Sequence, residues 1–299
     1  MGRIERLSKE LKQNGMQGVI KRGVFFFPNK ILIQQNSIRK LRNGLNKKQR
    51  PERVVVSLTS FPPRFKNLHW CLKSLLLQTY KPDRIVVYLG SDTSRDMMTP
   101  QMLELERYGI EYKFDAKKNL KPHKKYFYSM QEEKTAIIIT VDDDSVYPCN
   151  TIKSLMKIHR KYPDSICARR VHQIVRKKDG SFAPYQEWKQ ECRTMKEPSR
   201  DLIAVGVGGV LYPEGCLSDE AFDDKKFMEL CPGTDDIWLK FMEMQQNRSV
   251  VWVPCFFAQP PTLEGIASLN DGNVTEGKND ISINNMVKMY GAWKKSEDD

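Results

Sequence analysis

The chain has 299 residues, of which 40% are hydrophobic and 10% aromatic, so it can bury the core of one large α/β domain or of two small ones. No stretch approaches the roughly 20 apolar residues that a membrane-spanning helix needs, and the charged first twenty residues do not resemble a secretory signal. Seven cysteines without Cys-x-x-Cys spacing indicate neither a disulfide framework nor a zinc site and favour reduced thiols in a cytosolic protein.

The basic charge lies at the N-terminus. Residues 1–50 contain 13 lysines and arginines against two glutamates, which gives +11 of the total +12. Apolar runs at 24–27 and 31–33 interrupt these cations, a pattern that suits an anionic membrane surface. A solvated arm is an equally good interpretation, and nucleic acid is not expected because no nucleic-acid motif accompanies the charge. We predict a basic, membrane-associating arm over residues 1–50 and a separate domain over 51–299.

Strands and helices alternate after residue 51. Apolar, β-branched runs predict strands at 54–58, 85–89, 110–114 and 136–141, and helical spacing predicts helices at 68–76, 102–108 and 126–133. Paired prolines break the pattern at 59–64. This order predicts a parallel sheet with right-handed crossovers.

The second half of the domain is less regular. We predict a helix at 151–161, an irregular polar segment at 172–200, a glycine-rich apolar run at 202–210, a helix from Thr234 to about Gln246, and a strand at 250–253. A mobile tail at 259–280 and a short helix at 286–293 follow. No Gly-x-Gly-x-x-Gly follows the first strand, which argues against a dinucleotide-binding fold, and there is no Walker phosphate loop.

Three consecutive acids, Asp142, Asp143 and Asp144, follow the strand at 136–141. Open α/β sheets bind ligands at this end of their strands. Three adjacent negative charges repel one another, and Mg²⁺ or Mn²⁺ is a natural counter-charge. Because extended side chains alternate, Asp142 and Asp144 would share one side. The alternative is a solvated acidic turn that caps the helix at Thr151.

A second acidic site is Thr234-Asp235-Asp236. Thr234 has the features of a helix N-cap, with both aspartates in the first turn, where the helix dipole favours negative charge. A catalytic base is the other interpretation. Two acidic sites about ninety residues apart suggest that one holds a metal and a leaving diphosphate while the other accepts a proton.

The chain resembles the GT-A class of nucleotide-sugar glycosyltransferases, particularly bacterial enzymes that build capsular or lipopolysaccharide glycans. The stretches that carry the resemblance are 57–64 (Ser-Leu-Thr-Ser-Phe-Pro-Pro-Arg), 120–126 (Leu-Lys-Pro-His-Lys-Lys-Tyr), 141–148, 206–212 and 234–239. The resemblance covers roughly residues 53 to 290. It implies a GT-A (Rossmann-like) α/β fold with a mixed, mainly parallel sheet flanked by helices.

The same resemblance implies roles for individual residues. Asp142 and Asp144 would hold Mn²⁺ or Mg²⁺, and Asp235 or Asp236 would be the base of an inverting transfer. The donor-binding set would be Thr59, Ser60, Arg64, Lys124, Lys125, Asp142, Asp143, Gly208 and Gly209. The implied partners are a nucleotide-sugar donor, expected to be a UDP-sugar, and a glycan or lipid-linked glycan acceptor at the cytoplasmic membrane face. A metal-dependent phosphoesterase and a non-catalytic membrane- or polyanion-binding protein are the alternatives.

Overall fold

The computed structural model describes residues 41, 44–115, 118–255, 260 and 277–293. The chain divides into two units, 1–40 and 41–299, and every described residue belongs to the second. Most of the predicted basic arm and the greater part of the predicted mobile tail, 259–280, therefore lie outside the described residues. Within the described part, no helix combines the length and the hydropathy needed to cross a membrane.

Nine strands and seven α-helices are described. The strands are β1 (Val54–Thr59), β2 (Arg84–Leu89), β3 (Ile110–Phe114), β4 (Ile137–Thr140), β5 (Ile166–Ala168), β6 (Val171–Gln173), β7 (Leu202–Ala204), β8 (Val210–Tyr212) and β9 (Val250–Trp252). The helices are α1 (Phe65–Leu76), α2 (Pro100–Leu105), α3 (Lys124–Glu132), α4 (Thr151–Lys161), α5 (Asp224–Leu230), α6 (Asp235–Gln245) and α7 (Lys278–Tyr290).

Seven strands form one sheet in the order β3-β2-β1-β4-β8-β5-β9. All neighbours pair in parallel except β8, which is antiparallel to both β4 and β5. Strands β4 and β5 consequently run in the same direction, and their C-terminal ends lie at one edge of the sheet. A separate antiparallel pair, β6 and β7, lies between β5 and β8 in sequence. The predicted mixed, mainly parallel α/β sheet is confirmed.

Apolar side chains cover both faces of the sheet. Val54, Val56 and Leu58 belong to the cluster that includes Leu68 of α1, whereas the intervening Val55 belongs to a cluster on the other face. This alternation is the period-two pattern of a strand. Because both faces are covered, the strands read as nearly continuous apolar runs in the sequence.

The structure refines three predicted segments. The paired prolines at 62 and 63 lie in a 3₁₀ turn, Pro62–Arg64, that leads directly into α1, because proline is tolerated in a first helical turn. The glycine-rich run is not one strand: β7 and β8 flank a 3₁₀ turn, Gly206–Gly208, and Gly209 adopts a left-handed φ of 88°. The C-terminal helix begins at Lys278, not at residue 286.

Candidate active site

The acidic triad lies directly after β4. Asp143 is buried, and its carboxylate accepts hydrogen bonds from Ser60 Oγ at 2.6 Å and from Arg64 Nη1. Since Ser60 and Arg64 belong to the loop after β1, Asp143 ties this loop to the end of β4. The triad is not a cap for α4, because that helix has Asn150 at its N-cap and no side-chain cap hydrogen bond.

Asp142 and Asp144 are the more accessible members of the triad. Their side chains are 30% and 20% exposed, compared with 5% for Asp143. Burial and the charge of Asp142 raise the pKa of Asp144 to about 6, although Arg64 Nη1, 3.3 Å from Asp144 Oδ2, acts in the opposite direction. A carboxylate whose charge is destabilised by burial and by a neighbouring carboxylate, as at Asp144, is suited to a cation beside it.

Lys125 connects the triad to the second acidic site. Its Nζ donates a hydrogen bond to Asp142 Oδ1 at 2.8 Å and lies 2.9 Å from Asp235 Oδ2. The second contact is an ion pair without hydrogen-bond geometry, since Asp235 Oδ2 accepts no hydrogen bond from any described residue. The ammonium group is buried, and the nearby carboxylates, Asp142 foremost, raise its pKa against the effect of burial. Two acids ninety residues apart in sequence thus share one cation.

Asp236 lies beside this cation and contacts the glycine-rich turn. The Gly206 N–H donates to both carboxylate oxygens of Asp236, at 3.2 Å each. A Cβ on Gly206 would lie 2.9 Å from Lys125 Nζ and 3.3 Å from oxygens of Asp142 and Asp236, so only glycine fits without displacing them. Burial, followed by the charge of Asp235, raises the pKa of Asp236 to about 7.

Buried hydrogen bonds hold the loops that carry these acids. His123 Nε2 lies 2.8 Å from the carbonyl oxygen of Cys231, in the turn before α6, and burial lowers the pKa of His123 to about 4. Neutral His123 therefore donates its Nε2–H to the Cys231 carbonyl and holds the turn that leads into Asp235. The Tyr147 hydroxyl accepts from the Asp142 N–H at 2.8 Å and lies 3.1 Å from the carbonyl of Val207, so it joins the triad to the glycine turn.

The remaining predicted residues lie at varying distances from this centre. Thr59 Oγ1 donates to the Tyr88 carbonyl at the ends of β1 and β2. Lys124 is buried and donates to Asn119 Oδ1 at 2.6 Å, and burial lowers its pKa to about 8. A Cβ on Gly209 would face Thr151 and Leu155 in the core, not the acids. Thr234 is the N-cap residue of α6, but its hydroxyl donates to Ser282 Oγ and makes no cap.

The sequence interpretation missed Gly206, His123 and Tyr147 as members of this arrangement. All three lie within stretches that carry the family resemblance, but no local pattern marks His123 or Tyr147 as part of the site. Glycine-rich spacing at 206–209 was a usable signal, but it did not identify which glycine faces the acids. The close approach of Gly206 to Lys125, Asp142 and Asp236 identifies it, and this approach depends on how the helices and strands pack.

The centre carries more negative than positive charge. Among the described residues, Arg64 and Lys125 form ion pairs with four of the five aspartates of the two acidic sites, and Asp236 is the fifth. No group of three or more His, Cys, Asp or Glu side chains in the described part is arranged to hold a metal. Asp142 and Asp144 nevertheless fit a divalent cation as a two-carboxylate set, because hard cations prefer carboxylate oxygens and accept further oxygens from phosphate and water. A diphosphate would otherwise enter an excess of negative charge.

Comparisons with known proteins give one family. The model of a family described as "Glycosyl transferase family 2" matches residues 54–205, about half of the chain. No curated protein sequence matches significantly.

Several solved structures are distantly similar. One is S. aureus TarS 1–349, with 17% identity and a TM-score of 0.45 over 68% of this chain and 59% of that chain. The complex of the same protein with UDP gives 14% identity and a TM-score of 0.46, with equal coverage. A CMP:2-keto-3-deoxy-manno-octonic acid synthetase complexed with CTP gives 10% identity and a TM-score of 0.40 over 67% of this chain and 89% of that chain. The chain thus spans 59% of the TarS structures that it matches.

Proposed function

Because the chain belongs to glycosyl transferase family 2 and is a glycosyltransferase, we propose that it transfers a sugar from a nucleotide-sugar donor to a hydroxyl of a cell-surface glycan with inversion. The observation that carries this proposal is the junction at Lys125, which brings the triad and the second acidic site together. A donor diphosphate at the triad and an acceptor hydroxyl at Asp236 would then lie side by side. The phosphoesterase and scaffold alternatives receive no support from the family.

We infer that the donor binds at the C-terminal ends of β1 and β4. Thr59, Ser60 and Arg64 would contact the nucleoside. Asp143 would hold Ser60 and Arg64 in place through its hydrogen bonds to them. Asp142 and Asp144 would hold Mn²⁺ or Mg²⁺, which supplies positive charge to the departing diphosphate. Lys124 and Lys125 add to that field. The glycine turn at 206–209 would border the donor sugar, with Gly206 closest to the acids.

Asp236 is our candidate for the general base. An effective base has a pKa near the working pH, and the pKa of about 7 for Asp236 meets this condition. The acceptor hydroxyl oxygen would form a bond to the anomeric carbon while the bond to the diphosphate oxygen breaks. The electron pair of that bond leaves with the nucleoside diphosphate, and the hydroxyl proton goes to Asp236. Asp235, paired with Lys125, would orient the Lys125 ammonium group and so keep the second acidic site next to the triad.

The metal role is tested by Asp144→Asn. We expect wild-type protein to bind UDP only with Mn²⁺, and the variant to lose most of that binding because one of two carboxylate ligands is gone. Calorimetric titration with UDP, GDP and CMP, with and without Mn²⁺, measures this and identifies the nucleotide. Asp164→Asn is the matched control, since the Asp164 side chain is 86% exposed. Unchanged metal-dependent binding in Asp144→Asn would remove Asp144 from the metal site.

The base assignment is tested by Asp236→Asn and Asp235→Asn. We expect Asp236→Asn to bind UDP with Mn²⁺ as tightly as wild type but to lose transfer by about 10²–10⁴-fold. In wild type, kcat/KM should rise as the pH increases through about 7, because the base acts only when ionised. A pH profile that stays flat between pH 5.5 and 8.5, or an active Asp236→Asn, would exclude this role. If an aspartate only stabilises the N-terminus of α6, its asparagine variant should lose about 1 kcal/mol of stability and keep transfer activity.

We further propose a lipid-linked glycan acceptor, with the protein on the cytoplasmic membrane face. Support comes from the sequence, in which +11 of the net +12 lies in residues 1–50 beside apolar runs. Basic and apolar residues together favour an anionic membrane surface. Capsule or lipopolysaccharide synthesis is the biological setting that the family resemblance implies.

A further inference from the structure

Two arginines, Arg169 and Arg170, follow β5 and hydrogen-bond to the glycine turn through their backbones. The Arg169 N–H donates to the Gly209 carbonyl at 3.3 Å, and the Arg170 carbonyl accepts from the Val205 N–H at 3.0 Å. The next residue after Val205 is Gly206, which contacts Asp236 and Lys125. The turn at 205–209 therefore contacts both the acidic centre and the backbone of these arginines.

Arg170 and Arg193 share the carboxylate of Glu191. Their Nη2 atoms lie 3.9 and 4.0 Å from its two oxygens, distances longer than hydrogen bonds. The buried Nε of Arg170 donates to no acceptor among the described residues. Two guanidinium groups therefore face one carboxylate and keep hydrogen-bond donors that this carboxylate does not use.

Glu191 has an unusual backbone conformation. Its φ of 49° is in the left-handed region, which is uncommon for a residue with a Cβ. Its N–H donates to Nδ1 of buried His172 at 2.9 Å, which keeps this conformation in place. Residues held in such conformations cluster at ligand-binding sites. The loose contacts and the strained backbone together make the Glu191 carboxylate an internal anion that a better ligand can displace.

We propose that Arg170 and Arg193 bind an anionic oxygen group, a phosphate or a carboxylate, on the acceptor. Guanidinium groups match both anions with paired, charge-assisted hydrogen bonds. The Arg170 carbonyl and the Asp236 carboxylate contact neighbouring residues of the same turn, Val205 and Gly206, whereas the donor diphosphate is assigned to Asp142 and Asp144. The acceptor assignment rests on the proposed function; the anion site itself rests only on the arginine and Glu191 geometry.

The test titrates glucose 6-phosphate, glucuronic acid and uncharged glucose into protein saturated with UDP and Mn²⁺, so that the donor site is occupied. We expect at least one anionic sugar to bind more tightly than glucose, and Arg193→Ala to weaken that binding about tenfold. Glu191→Gln should strengthen it, because the competing charge is removed. The control is Arg160→Ala: Arg160 is 58% exposed and lies 3.9 Å from the carboxylate of Glu52, as Arg193 lies near Glu191. It should bind as wild type.

The opposite signs expected for Arg193→Ala and Glu191→Gln separate ligand binding from a structural role, which would shift both in one direction. Binding of glucose 6-phosphate alone would assign phosphate, and binding of glucuronic acid alone would assign carboxylate. If neither anionic sugar binds more tightly than glucose, or if Arg193→Ala binds as wild type, the subsite is overturned. Failure of UDP itself to bind would count against the transferase proposal; the anion site would then be judged by the same sugars in nucleotide-free protein.

Discussion

At the residue scale, Gly206 has the sharpest consequence for function. Its missing Cβ lets Lys125, Asp142 and Asp236 approach one another, and its N–H holds the Asp236 carboxylate. Its φ lies outside the left-handed region, so alanine would not strain the backbone. Steric exclusion of a side chain, and not backbone freedom, explains the glycine at this position.

We therefore predict that Gly206→Ala folds but transfers sugar about tenfold more slowly, because the added Cβ displaces Lys125, Asp142 and Asp236 only slightly and a full displacement of about 1 Å costs about 100-fold. Stability should change by about 1 kcal/mol or less. Steady-state transfer assays and thermal unfolding measure the two quantities. Gly180→Ala should show the opposite pattern, since Gly180 has a φ of 85° with no neighbour within 4 Å of a Cβ: stability falls by about 1–2 kcal/mol and transfer persists. Full activity in Gly206→Ala would show that the Lys125 junction tolerates displacement.

At the element scale, α6 contains a buried ion pair outside the active site. Lys240 Nζ lies 2.6 Å from Glu243 Oε1, and both side chains are 2% exposed. Burial raises the pKa of Glu243 to about 7 and lowers the pKa of Lys240, which shows that the cost of desolvation exceeds their mutual attraction. Lys240 is about one turn and Glu243 about two turns beyond the aspartates that begin the helix.

We predict that the double variant Lys240→Met/Glu243→Leu is as stable as wild type or more stable by about 1–4 kcal/mol, because the desolvation cost disappears. Glu243→Leu alone should destabilise by about 3–5 kcal/mol, since it leaves the Lys240 ammonium buried without its partner. Urea unfolding of the three proteins gives these differences. Transfer activity of the folded double variant should match wild type. A double variant less stable than wild type would show that the ion pair stabilises the protein.

The same scale shows what could be predicted from sequence. The hydrophobic runs in the sequence located β1 to β4. The acids after β4 were correctly placed at the C-terminal edge of the sheet, because a buried strand that ends in charged residues must reach the edge of the sheet there. The split of 202–210 into β7, a turn and β8 was missed, since an apolar glycine-rich run has the same pattern either way. The contact of Lys125 with Asp235 joins positions 110 residues apart, and no local pattern encodes such packing.

At the scale of the whole molecule, contacts of Asp83 show which residues near the end of the basic arm belong to the domain. Asp83, just before β2, accepts hydrogen bonds from the Asn46 side chain at 2.8 Å and from the Val54 N–H at 2.7 Å, and it pairs with Arg50. A Cβ on Gly109 would lie 2.6 Å from Leu45 Cδ1, so Leu45 packs on that turn. Residues 44–50 thus contact the sheet domain, although their charge resembles that of the arm.

We predict that deletion of residues 1–40 abolishes binding to anionic vesicles while UDP binding with Mn²⁺ is retained. The deleted segment has nine lysines and arginines against two glutamates, and each cation near an anionic surface contributes about 1 kcal/mol. Co-sedimentation with phosphatidylcholine vesicles, with and without phosphatidylglycerol, measures the binding. Deletion of residues 1–50 is the comparison: its melting temperature should be lower than that of the 1–40 deletion, because Asp83 loses Asn46 and Arg50. If the 1–40 deletion binds vesicles as the full chain does, the membrane contact belongs to the domain and the arm is a solvated extension.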